Sequence, residues 1–196
     1  PQSGPSVARN MAIEEARGDY LGFVDGDDSI DPEMFELLIA RAEQTDADVV
    51  VCGYHAVELE SGNRRYFRQG WSRDFGRSLV ESPALIPIIA PFAWNKIFRR
   101  KLVLDTGIRF PEGLLMADIP FTYLVMLEAN KLEKVQRPLY NYSYLRAGSI
   151  THTYSPKKLD MFTTLSILND YCASRPWYSA VYPGLVRLNL KHVYNR

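Results

Sequence analysis

The sequence lacks an excess of charge of either sign and has no long hydrophobic run. Its 196 residues carry 23 Lys and Arg against 23 Asp and Glu, so the formal net charge is zero. A balanced charge gives no support to nucleic acid or an anionic membrane surface as a partner. No apolar stretch approaches the ~20 residues that span a bilayer, and no charged-then-apolar leader is present. The sequence therefore predicts neither a spanning segment nor a signal for its own export.

Cysteine is scarce and provides neither a zinc site nor a disulfide framework. The chain has two cysteines, Cys52 in an apolar strand-like run and Cys172 in a helical pattern. Isolated cysteines in apolar surroundings are typical of reduced core residues, so we expect a reducing compartment. A chain of this length buries roughly 70% of its unfolded surface and needs no metal or disulfide to fold.

Helical and strand patterns alternate along the first quarter of the chain. They predict a helix over 6–17, a buried strand over 20–24, a helix over 32–45 with Asp31 as its N-cap, and a second buried strand over 49–52. The order strand, helix, strand predicts a parallel pair with a right-handed crossover. Ligands bind beyond the carboxyl ends of such strands, which is where residues 25–28 lie.

The rest of the chain predicts a hairpin, several short elements and two carboxy-terminal helices. The hairpin covers 54–76 and has its turn at 61–63. Further helices are predicted over 77–89, 99–105, 119–130, 156–173 and 178–195, strands over 132–135 and 139–144, and a short strand or turn over 92–98. The chain begins in loop-like sequence and ends inside a helical pattern, so we expect a piece of a longer polypeptide.

Three carboxylates directly follow the first predicted strand. Asp25, Asp27 and Asp28 lie within four residues and repel one another. Their desolvation is costly unless a cation or hydrogen-bond donors compensate. Because hard cations prefer oxygen ligands, the segment predicts a divalent ion at this edge of the sheet, with a phosphate beside it.

Other interpretations fit the acidic segment taken alone. An apolar strand followed by Asp25-x-Asp27-x-Ser29 fits a haloacid-dehalogenase-like phosphatase, with Asp25 as the nucleophile and Asp27 as the acid and base. Alternate oxygen-bearing residues from Asp25 to Glu36 fit a calcium loop, although Ile30 occupies the position that requires glycine. A non-catalytic metal-binding or interaction module is the remaining alternative.

An ordered set of motifs covers residues 4–151. It consists of Gly4-Pro5-Ser6-Val7-Ala8-Arg9-Asn10, then Phe23-Val24-Asp25-Gly26-Asp27-Asp28, Ala93-Trp94-Asn95-Lys96-Ile97-Phe98-Arg99-Arg100, Gly107-Ile108-Arg109-Phe110-Pro111-Glu112-Gly113, Asp118 with Phe121, Pro138-Leu139-Tyr140-Asn141-Tyr142, and Arg146-Ala147-Gly148-Ser149-Ile150-Thr151. The set resembles the central block of family-2 glycosyltransferases with the GT-A fold. The resemblance implies an α/β fold with a GT-A-like (Rossmann-like) mixed sheet flanked by helices.

The resemblance also implies a division of the chain. A partial GT-A catalytic domain would cover 1–151, and a helical carboxy-terminal extension would cover 152–196. The family's amino-terminal strands, which hold the nucleotide base and ribose, would precede Gly4 and are missing from this chain. We therefore expect the chain alone to bind its donor weakly.

The reaction that the resemblance implies is inverting transfer of a sugar from a nucleotide-sugar donor to an acceptor hydroxyl. Asp25 and Asp27 would hold Mg²⁺ or Mn²⁺, which offsets the charge of the departing diphosphate. Asp118 would be the general base that deprotonates the acceptor. Its position before a predicted helix also suits an N-cap. Many relatives have Glu before this base, whereas Ala117 stands here.

The resemblance further implies a set of substrate-binding residues: Arg9, Asn10, Asp28, Trp94, Asn95, Lys96 and Arg146. Arg9 would pair with phosphate or with the acidic segment, and Asn10 would bind donor hydroxyls. Asp28 would be a further metal ligand or would orient the sugar. Trp94 is either an acceptor-facing aromatic shelf or a core residue.

The expected partners follow from the same resemblance. They are a nucleotide-sugar donor and a saccharide or lipid-linked acceptor, with no nucleic acid. Family members of this type often build surface polysaccharide or glycoconjugates. We therefore expect a bacterial cytoplasmic enzyme, with peripheral association of the full-length protein at the inner face of the cell membrane.

Overall fold

A curled mixed sheet lies at the centre of the structure, which is a computed structural model that describes residues 4–58, 61–67, 74–144 and 156–194. Its strands are β1 (Tyr20–Gly22), β2 (Ser29–Ile30), β3 (Val49–Glu58), β4 (Arg64–Phe67), β5 (Lys96–Arg99) and β6 (Leu132–Tyr144). Their order is β1-β5-β3-β6-β2, and β4 pairs with the outer half of β3. The long strand β3 therefore organises the sheet.

Helices cover both faces of this sheet. They are α1 (Gly4–Glu15), α2 (Met34–Thr45), α3 (Arg100–Thr106), α4 (Asp118–Glu128), α5 (Asp160–Ala173) and α6 (Tyr178–Tyr194), with short 3₁₀ helices at Pro83–Leu85 and Pro156–Leu159. Within the part of the chain that the structure describes, no helix is both long enough and apolar enough to cross a bilayer.

The predicted parallel pair between the first two buried strands is wrong. β1 and β3 run in the same direction, but β5 lies between them and pairs antiparallel with both. Ile97 and Phe98 of β5 are buried, so this later strand supplies apolar side chains to the middle of the sheet. The parallel neighbour of β3 is β6. Local periodicity indicates that a strand forms but does not determine which strand lies beside it.

The structure corrects two of the other predicted elements. The helix predicted over 77–89 is absent from these described residues, which form turns and the 3₁₀ helix at 83–85, because Pro83 and Pro87 interrupt the segment and Pro91 follows it. The two strands predicted over 132–135 and 139–144 are one strand, β6, whose pairing with β3 shifts register around Gly53. The predicted hairpin is confirmed for β3 and β4.

Two apolar clusters, one on each face of the sheet, form the core. On one face, Met34, Leu38 and Ala42 of α2 pack against Val50 and Leu139. On the other, α4 is buried along almost its whole length from Ile119 to Leu127. The carboxy-terminal helices pack into this second cluster through Leu165, Leu168, Leu185 and Leu188. The sheet and the last two helices therefore share one core, while the predicted boundary at 151/152 lies outside the described residues.

Both cysteines lie in this core. Cys52 and Cys172 are buried and unbridged. Burial raises the pKa of each thiol to about 12. Neutral, inaccessible thiols of this kind act as small apolar side chains.

Candidate active site

The guanidinium of Arg9 joins two carboxylates that are far apart in the sequence. Its Nη2 lies 2.6 Å from Oδ1 of Asp25, and its Nη1 lies 2.7 Å from Oδ1 of Asp118. Arg9 belongs to α1, Asp25 follows β1 and Asp118 begins α4. The fold thus brings the acidic segment and the predicted base to one cation.

Electrostatics support this bridge. Burial by itself would lower the pKa of Arg9, but the charges and hydrogen bonds of Asp118 and Asp25 outweigh it and raise that pKa. The guanidinium also lies 5.3 Å from the centre of the Phe110 ring. A cation held by two carboxylates and an aromatic face is fixed in position.

Asp118 has a partner on each carboxylate oxygen. Oδ1 accepts from Arg9, and Oδ2 accepts from the backbone N–H of Ala93 at 3.1 Å. Ala117, not Asp118, occupies the N-cap position of α4. Burial raises the pKa of Asp118, although Arg9 opposes this effect. A raised carboxyl pKa is the direction that favours a general base.

Asp28 is held by β6. Its Oδ2 accepts from the hydroxyl of Tyr140 at 2.7 Å, and its Oδ1 accepts from the backbone N–H of Ser143 at 2.8 Å. The same hydroxyl accepts from the backbone N–H of Asp25 at 3.1 Å. Both oxygens of Asp28 therefore bond within the protein, where they anchor the acidic segment. Asp27 lies nearby in an exposed position.

An open cleft of about 550 Å³ lies beside the Arg9 bridge. Arg9, Asp25 and Asp118 line it together with aromatic and basic side chains. The aromatic residues are Tyr54, Phe67, Phe92, Trp94, Tyr142 and Tyr144, and the basic ones are Arg65 and Lys158. Such a combination of ring faces and a few charged groups is typical of a site for a polar organic ligand.

Trp94 forms part of the cleft wall, but its ring faces are covered. It stacks on Phe92 with ring centres 4.6 Å apart, on Tyr140 at 4.3 Å and on Tyr142 at 5.7 Å. Only 3% of Trp94 is exposed. Trp94 is therefore a core residue that also lines part of the cleft. Of the rings that stack on it, Phe92 and Tyr142 are more exposed than Trp94 itself.

The structure does not place Asn95 and Lys96 on the cleft wall. Both are fully buried. Asn95 Nδ2 donates to the carbonyl oxygen of Cys52 at 2.8 Å, and Lys96 donates only to protein oxygens. An asparagine and a lysine can bind a ligand or can make hydrogen bonds inside the protein. The sequence alone could not distinguish these two roles for Asn95 and Lys96.

Asn10 also has an internal partner. Its Nδ2 donates to the carbonyl oxygen of Phe110, and the N–H of Phe110 donates to its Oδ1, each at 2.9 Å. This exchange clamps α1 to the 107–113 segment, so in this structure the amide does not face a donor sugar. Arg146, the last predicted substrate contact, lies outside the described residues.

Sequence reasoning missed Tyr140 and the backbone of Ala93. Tyr140 is fully buried, and its hydroxyl links Asp25 to Asp28. A signal was present, because buried Tyr hydroxyls need a polar partner and Tyr140 lies in an apolar strand pattern. Nothing in the sequence indicates the Ala93 bond, since its donor is a main-chain N–H that every residue type except proline carries.

Comparison with known proteins places this geometry in a family. The sequence model of Glycosyl transferase family 2 matches residues 1–106, which is more than half of the chain. The chain belongs to glycosyl transferase family 2. This membership confirms the resemblance seen in the motifs, and it gives no support to the phosphatase or calcium-loop alternatives.

Curated relatives of this glycosyl transferase family 2 member come from bacteria. The chain is 31% identical over 148 residues to the uncharacterized glycosyltransferase EpsJ of Bacillus subtilis (strain 168), a match that covers 71% of this chain and 42% of that protein. It is 29% identical over 147 residues to the poly(ribitol-phosphate) beta-N-acetylglucosaminyltransferase TarS of Staphylococcus aureus (strain Mu50 / ATCC 700699), covering 74% and 24%. The chain therefore spans less than half the length of these relatives.

Solved structures confirm the fold. The crystal structure of S. aureus TarS 1-349 in complex with UDP-GlcNAc matches 98% of this chain and 54% of that one, with a TM-score of 0.81 and 21% identity. The complex of the same protein with UDP gives a TM-score of 0.74 at 20% identity, covering 97% and 52%. The predicted GT-A-like mixed sheet with flanking helices is thus confirmed.

Proposed function

We propose that this glycosyl transferase family 2 member transfers a sugar, with inversion, from a nucleotide-sugar donor to an acceptor hydroxyl in cell-surface polysaccharide synthesis. The observation that carries the proposal is the Arg9 bridge, which holds Asp25 and Asp118 at one end of an open cleft. The TarS complex with UDP-GlcNAc supports a nucleotide-sugar as the donor, and the name of TarS supports a hexosamine-type sugar.

Asp118 acts as the general base in this proposal. It accepts the proton of the acceptor hydroxyl while the acceptor oxygen forms a bond to the anomeric carbon and the bond to the leaving diphosphate breaks. Each carboxylate oxygen has two acceptor positions, so Asp118 can bind the hydroxyl while Arg9 and Ala93 hold it. Burial supports the role because it raises the pKa of Asp118.

Asp25 and Asp27 are the residues that would hold Mg²⁺ or Mn²⁺. Across the described ranges, no group of three or more His, Cys, Asp and Glu could hold a metal, so these two carboxylates would not form a complete shell. Magnesium is commonly bound through one or two carboxylates plus substrate phosphates and water. The pair therefore fits an ion that arrives with a diphosphate, and the ion would neutralise charge on the leaving group.

The acceptor would occupy the aromatic part of the cleft, around Phe92 and Tyr142. Sugars and polyols bind to ring faces through their apolar C–H surfaces, and the basic residues Arg65 and Lys158 extend the wall. The two buried, unbridged cysteines are consistent with a cytoplasmic site of action. A lipid-linked acceptor would bring the full-length protein to the inner face of the cell membrane.

The test is transfer by the full-length protein from a panel of sugar nucleotides, beginning with UDP-GlcNAc, in the presence of Mn²⁺ or Mg²⁺. We expect release of the nucleotide diphosphate, its loss with a chelator and its return with either metal. Asp118→Asn should abolish turnover and leave donor binding by calorimetry within a few-fold of wild type. A near wild-type rate for this variant would remove Asp118 from the reaction.

A separate binding measurement tests the metal proposal. Titration of Mn²⁺ in the presence of UDP, followed by electron paramagnetic resonance, should show binding that Asp25→Ala and Asp27→Ala both weaken. Asp105→Ala, an exposed acid on α3, is the matched control. Equal Mn²⁺ binding in all four proteins would reject the two acids as ligands.

A further inference from the structure

Lys96 is a fully buried lysine whose amine is bonded only to protein oxygens. It lies at the start of β5, and its Nζ donates to the carbonyl oxygens of Ala90 at 2.8 Å and Phe92 at 2.6 Å, and to Oδ1 of Asn95 at 2.7 Å. Three acceptors match the three N–H bonds of a protonated amine, since a neutral amine has only two. The geometry therefore favours the ammonium form.

Burying the charged amine of Lys96 costs free energy, so its presence in the core suggests a function. Burial lowers the pKa of Lys96 to about 7, although the charge of Asp118 acts to raise it. Among the described residues, no carboxylate bonds to the amine directly. A methionine would fill the same space without the cost of burying a charge. What the ammonium provides and a methionine does not is a fixed position for three oxygen atoms.

Those oxygens belong to the segment that touches Asp118. Lys96 binds the carbonyl groups on either side of Pro91, and the next residue after Phe92 is Ala93, whose N–H donates to Oδ2 of Asp118. Asn95 ties the far end of the same segment to β3 through two bonds with Cys52. The segment 90–95 is thus fixed from inside the protein by Lys96 and Asn95, and its outer side presents one N–H to the base.

We propose that Lys96 is a positioning residue for Asp118: it fixes the 90–93 segment so that the Ala93 N–H sets the direction of the Asp118 carboxylate and Phe92 shapes the adjoining cleft wall. The inference rests on the proposed function and adds a residue to it. Asp118 is then held from two sides, by Arg9 across the cleft and by the segment that Lys96 fixes. If the Ala93 N–H moves, Oδ1 of Asp118 stays paired with Arg9, but Oδ2 can turn away from the acceptor.

The experiment compares Lys96→Met with Lys131→Met in the full-length protein. Lys131 is a matched control, because its Nζ also donates to a backbone carbonyl, that of Thr45 at 2.7 Å, and it does not line the cleft. With UDP-GlcNAc, or the sugar nucleotide that the panel identifies, we expect Lys96→Met to lower kcat on the order of 100-fold, the loss typical of a misplaced reacting group. Donor KM should stay within a few-fold, because the lost interaction acts in the transition state.

A second readout does not depend on turnover. Amide hydrogen exchange of peptides covering 90–95 should become faster in Lys96→Met and stay at the wild-type rate in Lys131→Met. If the wild-type protein turns over no sugar nucleotide, the proposed function fails, whereas the exchange result still decides whether Lys96 fixes the segment.

Each outcome decides the proposal. The proposal is overturned if folded Lys96→Met has an unchanged kcat, or if it loses kcat and donor binding equally. It is also overturned if amide exchange over 90–95 is unchanged. If Lys96→Met does not fold, Lys96→Gln, which retains two N–H donors, replaces it in the same measurements. If neither variant folds, Lys96 is required for folding and the positioning role is rejected.

Discussion

Asp160, the first residue of α5, accepts a hydrogen bond from the backbone N–H of Leu115 at 2.9 Å. Leu115 and Met116 line the cleft just before Asp118, and Met116 has a left-handed backbone with φ of 61°. Non-glycine residues adopt that conformation at a cost and only when their surroundings impose it. The bond from α5 is one such constraint, so this carboxy-terminal helix contributes to the geometry of the site.

Removal of that constraint should affect turnover. We expect Asp160→Ala to lower the free energy of unfolding by roughly 1.5–3 kcal/mol, which is the net contribution of a hydrogen bond to a charged group. It should also lower kcat, because the segment before Asp118 relaxes. Asp170→Ala is the control, since Asp170 lies on the same helix and accepts a hydrogen bond from Ser166 within it. Urea unfolding and transfer assays on both variants provide the measurement, and equal kcat values would show that α5 does not influence the site.

A second prediction concerns the hydroxyl of Tyr140. Tyr140→Phe leaves Oδ2 of Asp28 and the N–H of Asp25 without their partner. A buried polar group that loses its partner costs roughly 1–3 kcal/mol, so the unfolding midpoint in urea should fall accordingly. Transfer activity should fall as well, because the acidic segment loses its anchor. Tyr182→Phe, at an exposed position on α6, should match wild type in both assays.

The third prediction concerns pH and Asp28. Burial raises the pKa of Asp28 above its ordinary value, an effect that the bonds from Ser143 and Tyr140 reduce but do not cancel. The folded protein therefore binds this proton more tightly than the unfolded chain does. Asp28 therefore stabilises the folded protein at low pH. This contribution to the free energy of unfolding is lost as the pH rises from the unfolded-state Asp pKa of ~3.9 through the higher pKa of the folded state.

Urea unfolding across this pH window is the measurement. The difference between wild type and Asp28→Asn should show wild type losing stability relative to the variant as the pH increases. A difference that is constant over the window, or one that changes in the opposite direction, would mean that the folded protein does not raise this pKa.

The fourth prediction tests the contact between α6 and the 83–85 turn. A Cβ at Gly184 would lie 2.6 Å from the carbonyl oxygen of Pro83 and 2.9 Å from Cδ1 of Ile86. Because backbone atoms cannot move aside cheaply, Gly184→Ala should destabilise the protein by about 1–3 kcal/mol. Gly18→Ala, where the nearest atom would be 3.6 Å away, should have little effect on thermal unfolding. Similar unfolding temperatures for the two variants would contradict this close packing.

The sequence predicted the elements better than their arrangement. Residues 20–24 and 49–52 were identified as buried strands because runs of apolar residues are a local signal, and the structure places β1 and β3 there. The insertion of β5 between them depends on a contact between residues distant in sequence, which no local pattern encodes. The helix predicted over 77–89 does not form because Pro83 and Pro87 each remove a backbone donor and clash with the preceding turn.

For the site, too, the sequence indicated which residues matter better than it indicated their contacts. The acidic pattern after the first strand indicated Asp25, the resemblance to family-2 glycosyltransferases implied Asp118 and Arg9, and the structure brings the three together. Polar residue types alone could not show that Asn10 and Lys96 bond inside the protein. Only the three-dimensional contacts separate side chains that line a cleft from side chains that hold its wall.

The position of β5 also bears on how the chain folds during synthesis. β1 and β3 are made early, yet the strand that joins them begins only at Lys96. Pairings between distant residues form slowly because a long loop must close first. A nascent chain that has emerged only as far as Ile89 has the sequences of β1 and β3 but not their shared neighbour, so the facing edges of both strands stay unpaired until β5 is made.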